Sequence, residues 1–298
     1  MFRVFFLVSV GIVAISFASI FIKFCNDVPS IMIATYRLTI SSAILLTIAK
    51  IKGIRFSNFT KKQLALAMMG GLFLSLHFSF WISSLKFTSV ASSVVLVTTN
   101  PVFIGIFSYF FLREKQPREL VFGIILSFLG SFILAIGDSG IQGLTIKNSS
   151  YLIGDLLAVS GAVMASGYLI IGSMLRKDID ILPYTSLVYT FSALLLLITS
   201  VCLRIPFAGY SPTSYMYLFL LAIIPQLIGH TAFNWALKHL RTNMVAITIL
   251  GEPIGASILA YLIFRESIKP IQSVGITLIF FAIFISSTKG KRPSLSKS

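Results

Sequence analysis

Charged residues are scarce in this 298-residue chain, and acidic residues are the scarcest of all. Asp, Glu, Lys and Arg together make up 11% of the sequence, and apolar and aromatic residues make up 56%. Soluble domains contain about 25% charged residues. A water-soluble fold of this composition would expose large apolar patches. The composition therefore excludes an ordinary soluble domain and indicates a protein that is surrounded by lipid.

Residues that bind metals or form disulfides are also few. The chain has 2 Cys and 3 His, and it has no H-E-x-x-H motif, Gly-rich phosphate loop or Cys/His cluster with metal-site spacing. These absences argue against an intramembrane metalloprotease and an ATP-driven pump. We therefore expect no metal, no cofactor and no enzymatic activity. Cys25 and Cys202 are too isolated to predict a disulfide.

Ten apolar stretches are long enough to cross about 30 Å of hydrocarbon as helices. No long hydrophilic stretch separates them, so we expect no attached soluble domain. The first stretch is too long for the apolar region of a signal peptide, and no small-residue cleavage site follows it. The sequence thus predicts an all-α polytopic membrane protein with helices at 4–23, 31–49, 64–84, 89–112, 120–136, 151–175, 182–203, 214–237, 243–264 and 270–287.

The basic residues predict the orientation, because basic loops are retained in the cytoplasm. Seventeen of the 24 Lys and Arg residues fall on the face that holds both termini, six fall on the other face, and Arg37 lies inside the second helix. We therefore expect a multi-pass protein of a bacterial inner membrane with both termini in the cytoplasm. The net charge of +15 then reflects retention and contact with anionic lipid. No basic stretch is interleaved with stacking aromatics, so we expect no nucleic acid partner.

The chain contains an internal repeat with an offset of 152 residues. Pro101 is followed twelve residues later by Arg113-Glu114, and Pro253 is followed at the same distance by Arg265-Glu266. Each half has five predicted helices, an odd number, so the second half enters the membrane from the opposite face. Such inverted repeats build many secondary transporters, whose substrate site lies near mid-membrane where the halves meet. The predicted organisation is a first five-helix repeat at 1–137, a linker at 138–150, a second repeat at 151–288 and a basic cytoplasmic tail at 289–298.

Several short motifs carry a resemblance to a known family. Gly154-Asp155 opens the sixth helix, Leu85-Lys86 and Leu237-Lys238 end the third and eighth, and Pro-centred fourth and ninth helices end in Arg-Glu. Over nearly its whole length the chain resembles the drug/metabolite transporter superfamily, specifically its EamA-type branch. The resemblance implies two inverted EamA-like repeats (5+5) around a central cavity, with the fifth and tenth helices at the periphery, and transport by alternating access. This family handles amino acids, nucleotide-derived metabolites and drugs.

Glu252 is the only carboxylate predicted at the middle of a helix. An ionisable side chain at that depth costs about 3 kcal/mol, so it must face a cavity or a partner. It precedes Pro253, which removes a backbone donor, and it lies within Gly251-x-x-x-Gly255, a spacing that lets a neighbouring helix approach closely. Glu252 is predicted to bind the cationic part of a substrate or to carry a coupling proton. The alternative is a neutral or paired Glu with a structural role.

The remaining candidate residues are polar or aromatic side chains on predicted helices. Asn100 precedes Pro101 and is the counterpart of Glu252 in the first repeat. His77 and Trp81 lie four residues apart on the third helix, and His230 and Asn234 lie four apart on the eighth, so each pair shares a helix face. We predict that these side chains line the cavity, although ordinary packing would also explain the His and aromatic residues.

Arg37 and Asp155 lie four to six residues inside the second and sixth helices. They are predicted to pair with each other or to extend toward the interface, with a role in substrate binding as the less favoured alternative. Trp235, near the end of the eighth helix, is predicted to be an interfacial anchor.

Together these patterns favour a secondary active transporter or exchanger of a small polar metabolite that works by alternating access. An amino acid or its derivative is the first candidate, a metabolite like S-adenosylmethionine the second and a drug the third. The alternative is a non-transporting membrane protein, either an intramembrane enzyme or a scaffold. The expected partners are the substrate, membrane lipid and a coupling proton or counter-substrate. The protein is expected to be a monomer or a homodimer formed through its fifth and tenth helices.

Overall fold

The computed structural model describes residues 2–88, 90–112, 117–139, 149–265 and 270–287. The described residues form helices, with no β-strand among them. The helices are α1 (Phe2–Phe24), α2 (Ser30–Ile51), α3 (Lys61–Ser84), α4 (Val90–Val97), α5 (Asn100–Leu112), α6 (Arg118–Ser139), α7 (Ser149–Leu175), α8 (Ile181–Cys202), α9 (Pro212–Leu221), α10 (Thr231–Ala236), α11 (Thr242–Ile249), α12 (Gly251–Phe264) and α13 (Pro270–Ser287). A short 3-10 helix covers Phe56–Asn58, and a π-helical stretch, Ala222–His230, joins α9 to α10 into one α9–α10 segment (212–236).

Eight segments in the described part of the chain are long and apolar enough to cross a membrane. They confirm a multi-pass, all-α membrane protein. The other two predicted helices correspond to α6 and α13, whose apolar stretches are shorter, at Val121–Gly130 and Ser273–Ala282. The number of ten crossings therefore stays a prediction.

Local sequence explains where several helices begin and end. Thr60 caps α3 with a capping box: the Gln63 N–H donates to the Thr60 hydroxyl at 3.2 Å, and the Thr60 N–H donates to the Gln63 side chain at 3.0 Å. Ser211 accepts from the Ser214 N–H at the start of α9. Gly53 follows α2 with a φ of 67°, a conformation that ends helices and favours glycine. These signals fix the loops at both ends of the bundle.

Three of the predicted helices are interrupted, which the apolar pattern alone did not show. The fourth is divided into α4 and α5 at Thr98-Thr99, just before Pro101, and the ninth is divided into α11 and α12 at Leu250, just before Pro253. The eighth contains the π-helical stretch, with Pro225 inside it. Proline lacks the N–H that would continue the helical ladder, and this absence explains all three interruptions.

Helix packing follows the internal repeat. With the 152-residue offset, α2 corresponds to α8 and α6 to α13, and each of these helices packs against its own counterpart. Helix α3 packs on α7. The repeat relates α3 to the α9–α10 segment and α7 to α1, and the α9–α10 segment likewise packs on α1. This two-fold arrangement places the breaks before Pro101 and Pro253 in the centre of the bundle.

Helices α6 and α13 form the periphery of the bundle. They pack closely on each other: a Cβ added at Gly130 of α6 would lie 2.8 Å from the Gly275 carbonyl oxygen of α13. Their outer faces carry exposed large apolar side chains such as Phe122, Phe128 and Phe281. These faces suit contact with lipid tails, and the peripheral position is the one that the family resemblance implies for the fifth and tenth helices.

Candidate functional site

A small cavity with several polar side chains in its wall lies at the centre of the bundle, where the two broken helices meet. Its volume is about 40 Å³, enough for about three water molecules. It is bordered by α1, α2, α3, α5, α7, α10 and α12 and by the ends of α4 and α11. Seven of the eight predicted substrate-binding or coupling residues line it: Arg37, His77, Trp81, Asn100, His230, Asn234 and Glu252.

The helix breaks place the N-terminal ends of two half-helices at this cavity. Asn100 is the first residue of α5 and Glu252 is the second residue of α12, so both lie at the N-terminal end of a half-helix. Such ends carry partial positive charge from unpaired N–H groups. The Ser166 hydroxyl of α7 donates to the Asn100 carbonyl at 3.2 Å and fixes the first break against the second repeat.

Gly251 and Gly255 allow α1 to lie directly against the broken α12. A Cβ added at Gly251 would lie 2.7 Å from the Ile12 side chain, and one at Gly255 would lie 2.7 Å from the Ser16 Cβ and closer still to its hydroxyl. Both distances are shorter than real Cβ contacts. The glycine spacing therefore brings α1, which contributes Ile15 to the cavity wall, against the Glu252 half-helix.

Arg37 is fully buried at the cavity. Its Nε–H donates to Gln226 Oε1 at 2.7 Å, and its guanidinium carbon lies 4.1 Å from the centre of the Phe78 ring, a cation–π contact. Its two Nη atoms have no hydrogen-bond partner in the described part of the chain. Arg37 therefore brings a positive charge with two unused nitrogen donors to the centre of the protein.

Glu252 is the acidic group of the same cavity. It is 8% exposed and close enough to Arg37 for the two charges to interact, but within the described residues they form no ion pair. No hydrogen bond to its carboxylate is found among those residues. A buried, unsatisfied carboxylate is costly unless a ligand or a proton completes it.

Two amide side chains complete the polar wall. The Asn234 Nδ2 donates to the hydroxyls of Tyr168 and Tyr189, the latter at 3.3 Å. Within the described ranges, Oδ1 of Asn100 and Oδ1 of Asn234 are buried without hydrogen-bond partners. The described cavity wall thus has unused acceptors on the asparagines and the carboxylate, and unused donors on Arg37 and on Trp81 Nε1.

Aromatic rings form the remaining wall. The His77 Nδ1–H donates to the Gly161 carbonyl at 2.9 Å, which fixes the ring nearly parallel to Trp81 with centroids 6.1 Å apart. The His230 ring lies 5.3 Å from Phe78 in an edge contact. The two predicted helix-face pairs, from different repeats, therefore do converge on one cavity.

Asp155 lies elsewhere. It is half-buried near the start of α7 and accepts a 2.8 Å hydrogen bond from the Thr88 hydroxyl. Arg37 has other contacts, so the predicted Arg37–Asp155 pair is absent from the described residues. Arg37 is 0% exposed and does not extend to an interface. Trp235 contacts the His239 ring at 4.3 Å near the end of α10.

Three polar residues of the site were missed from the sequence: Gln226, Tyr168 and Tyr189. Gln226 directly follows Pro225 in the middle of an apolar segment, so the argument applied to Glu252 would have found it. The two tyrosines have no comparable signal in the sequence. Their hydroxyls contribute to the site by accepting hydrogen bonds from the Asn234 side chain and holding it in place.

A second cavity of about 330 Å³ lies next to the first along α1 and α3. Its lining begins at Ser19 and Ile82, one residue beyond cavity-lining Ala18 and Trp81, and it includes Lys23 and Lys86. It opens toward the end of the bundle that holds the loop of residues 25–29, which we call the first-loop face. The opposite end, near Arg3, is the N-terminal face.

Polar contacts join the loops at both ends of the bundle. On the first-loop face, Asp27 accepts from the Ser211 N–H at 2.7 Å and from the Ser214 hydroxyl, and these donors lower the pKa of Asp27. On the N-terminal face, buried Arg176 donates to the carbonyls of Asn234, at 3.1 Å, and Ile179. The first set joins the first loop to the start of α9, and the second joins the end of α7 to α10.

Metal and disulfide chemistry find no support in the described chain. No three His, Cys, Asp or Glu side chains come together within the described ranges. Cys25 and Cys202 are both free thiols, the first buried and the second exposed. Burial raises the pKa of Cys25 to about 12, so this thiol is unreactive at neutral pH.

Comparison with known proteins agrees with this architecture. A sequence model of the EamA-like transporter family matches residues 3–136 and 152–288. A Clostridium kluyveri protein described as an uncharacterized transporter is 29% identical over 231 residues, which cover 76% of this chain and 73% of that protein. The Bacillus subtilis uncharacterized transporter YetK is 24% identical over 280 residues, covering 89% and 81% of the two chains. A crystal structure with a TM-score of 0.79 and 17% identity covers 97% of both chains and shows the same fold. The chain belongs to the EamA-like transporter family.

Proposed function

We propose that the protein is a secondary active transporter or exchanger of a small polar metabolite, with an amino acid or its derivative as the first candidate. The observation that carries this proposal is the central cavity, in which seven predicted residues from both repeats meet at two helix breaks. A scaffold has no need for a buried carboxylate and arginine with unsatisfied hydrogen-bonding groups. The metabolite supplies the partners that these groups lack.

The size of the cavity supports transport by alternating access. The cavity has room for only about three water molecules, so binding of a larger metabolite is expected to be accompanied by movement of the helices. The broken α4–α5 and α11–α12 pairs provide hinges for such movement, because their backbone ladders are already interrupted. The neighbouring 330 Å³ cavity provides a route from the first-loop face.

The loop contacts fit the two ends of such a cycle. Opening the first-loop face would separate Asp27 from Ser211 and Ser214, and opening the N-terminal face would separate Arg176 from Asn234. Each set contains only a few hydrogen bonds, so substrate binding energy is large enough to break it. We propose further that the protein lies in a bacterial inner membrane with the N-terminal face in the cytoplasm, as the distribution of basic residues predicts.

Counterflow in proteoliposomes tests the proposal without knowledge of the driving ion. Vesicles containing purified protein are loaded with a high concentration of one unlabelled metabolite and diluted into a trace of the same metabolite carrying a label. The panel comprises the neutral amino acids, S-adenosylmethionine and cationic drugs. A transporter accumulates label transiently above the level of protein-free vesicles, with saturation by external substrate.

The same panel separates the alternatives. Accumulation of any one metabolite supports transport and rejects a pure scaffold. No accumulation of any metabolite, from protein that remains monodisperse and helical in the vesicles, would reject the proposal. Chemical conversion of a metabolite without its accumulation would favour the intramembrane enzyme.

A further inference from the structure

We propose that the central cavity recognises a zwitterion: Arg37 binds the carboxylate of an amino acid, and Glu252, with the Oδ1 atoms of Asn100 and Asn234, binds its ammonium group. This inference rests on the proposed transport function and specifies its substrate. It assigns to Arg37 a direct role in binding, whereas the sequence alone favours a structural role for this residue.

The arginine half of the site is built for a carboxylate. The contacts of Arg37 with Gln226 and Phe78 use the Nε–H and one face of the guanidinium. They orient the group and leave Nη1 and Nη2 without partners in the described structure. A carboxylate with two oxygens fits the remaining edge of the guanidinium in a bidentate hydrogen bond. A lone carbonyl or hydroxyl would leave one of these donors unsatisfied.

The opposite half of the site has three side chains with unpaired acceptors. The Nδ2 group of Asn234 is held by the hydroxyls of Tyr168 and Tyr189, and its buried Oδ1 has no hydrogen-bond partner in the described residues. Oδ1 of Asn100 has no partner in the described residues either, and Glu252 adds two carboxylate oxygens. An ammonium group has three donors and no acceptor, which matches this set.

Charge balance supports the same substrate. Arg37 and Glu252 line one cavity but form no direct ion pair in the described structure. A zwitterion placed between them compensates both buried charges at once, whereas a simple cation or anion would compensate one and be repelled by the other. Among the described residues no further Lys, Arg, Asp or Glu lines the cavity, and the rest of its wall is uncharged. The favoured substrate is therefore an amino acid with an uncharged side chain.

The experiment measures which end of the substrate each residue binds. Counterflow is measured with each labelled neutral amino acid, and the best substrate is then challenged with two unlabelled analogues. The amide analogue lacks the carboxylate charge, and the N-acetyl analogue lacks the ammonium charge. For the wild type we expect each analogue to compete at least about tenfold more weakly than the parent, since a charge-assisted hydrogen-bond pair is worth about that factor or more.

The variants make the assignment specific. In Arg37→Gln the parent should bind more weakly and the amide should compete about as well as the parent, while discrimination against the N-acetyl analogue remains. Arg37→Lys should retain part of the carboxylate preference, because it keeps the charge but loses the bidentate geometry. Lys62→Gln, an exposed residue outside the cavity, is the matched control and should leave both ratios unchanged.

Each result decides the inference. An amide that competes equally with the parent in the wild type, or a preference for the parent that survives in Arg37→Gln, would overturn the assignment of Arg37. Counterflow of another metabolite without any amino acid would overturn the zwitterion and leave the transport function intact. Only the absence of all counterflow would remove the transport function, and the zwitterion with it.

Discussion

The contact between α1 and α12 depends on Gly255, and replacing this glycine with alanine tests how the cavity is held together. A Cβ at this position would lie 2.7 Å from the Ser16 Cβ and would also overlap the Ser16 hydroxyl. Rotation of Ser16 can move its hydroxyl, but its Cβ is fixed to the backbone. The two helices must therefore separate by roughly 1 Å to restore an ordinary contact, and overpacking of this kind costs about 1–3 kcal/mol.

Alanine also favours helix over glycine by up to about 1 kcal/mol, which offsets part of that cost. Gly105→Ala in α5 is the matched control, because its added Cβ would meet only Ile124, at an ordinary 3.5 Å. We expect the free energy of unfolding, measured by circular dichroism in mixed detergent and dodecyl sulfate micelles, to be about 1–3 kcal/mol lower for Gly255→Ala than for Gly105→Ala.

A second substitution separates the contact from other effects. Ser16→Gly removes the side chain that the new Cβ would meet, so Gly255→Ala should cost less in that background than in the wild type. Equal stability of Gly255→Ala and Gly105→Ala, or an unchanged cost of Gly255→Ala in the Ser16→Gly background, would refute the close approach of α1 to α12.

Three further predictions concern the loops and the orientation. Hydrogen bonds lower the pKa of Asp27 below its ordinary value of 3.8. Their contribution to stability is fully present above about pH 3.8 and is lost as the pH falls through the lower pKa of the folded state. Thermal unfolding scanned from about pH 6 to about pH 2.5 should show this loss in the wild type but not in Asp27→Asn. Cys202 should react with an impermeant maleimide added outside right-side-out vesicles and not inverted ones, while Cys25 stays unlabelled in both; the reverse pattern would contradict cytoplasmic termini. Arg176→Ala should lower the free energy of unfolding by about 2–4 kcal/mol because it leaves buried carbonyls unpaired. Lys238→Gln, which breaks only the exposed 3.1 Å ion pair with Asp180, should cost less than about 1 kcal/mol, and equal effects would refute the difference in burial.

The repeat and the helices were predictable because they depend on composition and spacing. Apolar stretches of membrane-spanning length can form few structures other than helices in lipid, and the predicted odd number of them per half predicts inversion. Pro101 and Pro253 marked the breaks in principle, since a missing N–H interrupts a helix wherever it occurs. The exact break before each proline, and the π-helical stretch around Pro225, depend on packing that no local pattern encodes.

The candidate site was predictable for the residues whose burial is expensive. The cost of burying Glu252 placed it at a cavity, and the repeat placed Asn100 opposite. The same cost applied to Arg37, but its position near a helix end suggested an interfacial group, and only the fold shows that Gln226 and Phe78 hold it at the centre. Asp155 had a similar sequence position and lies outside the cavity, because the direction of a side chain depends on which helix faces the centre.

The most direct test of the central claim is a comparison of two carboxylates in the same flux assay. Glu252→Gln removes the charge inside the cavity, and Asp155→Asn removes one that is bonded to Thr88 outside it. We predict that counterflow of the wild-type substrate falls at least about tenfold in Glu252→Gln, the factor expected for one charge-assisted interaction, and stays near the wild-type rate in Asp155→Asn. Unchanged counterflow in Glu252→Gln would contradict the claim that substrate is bound where the two helix breaks meet.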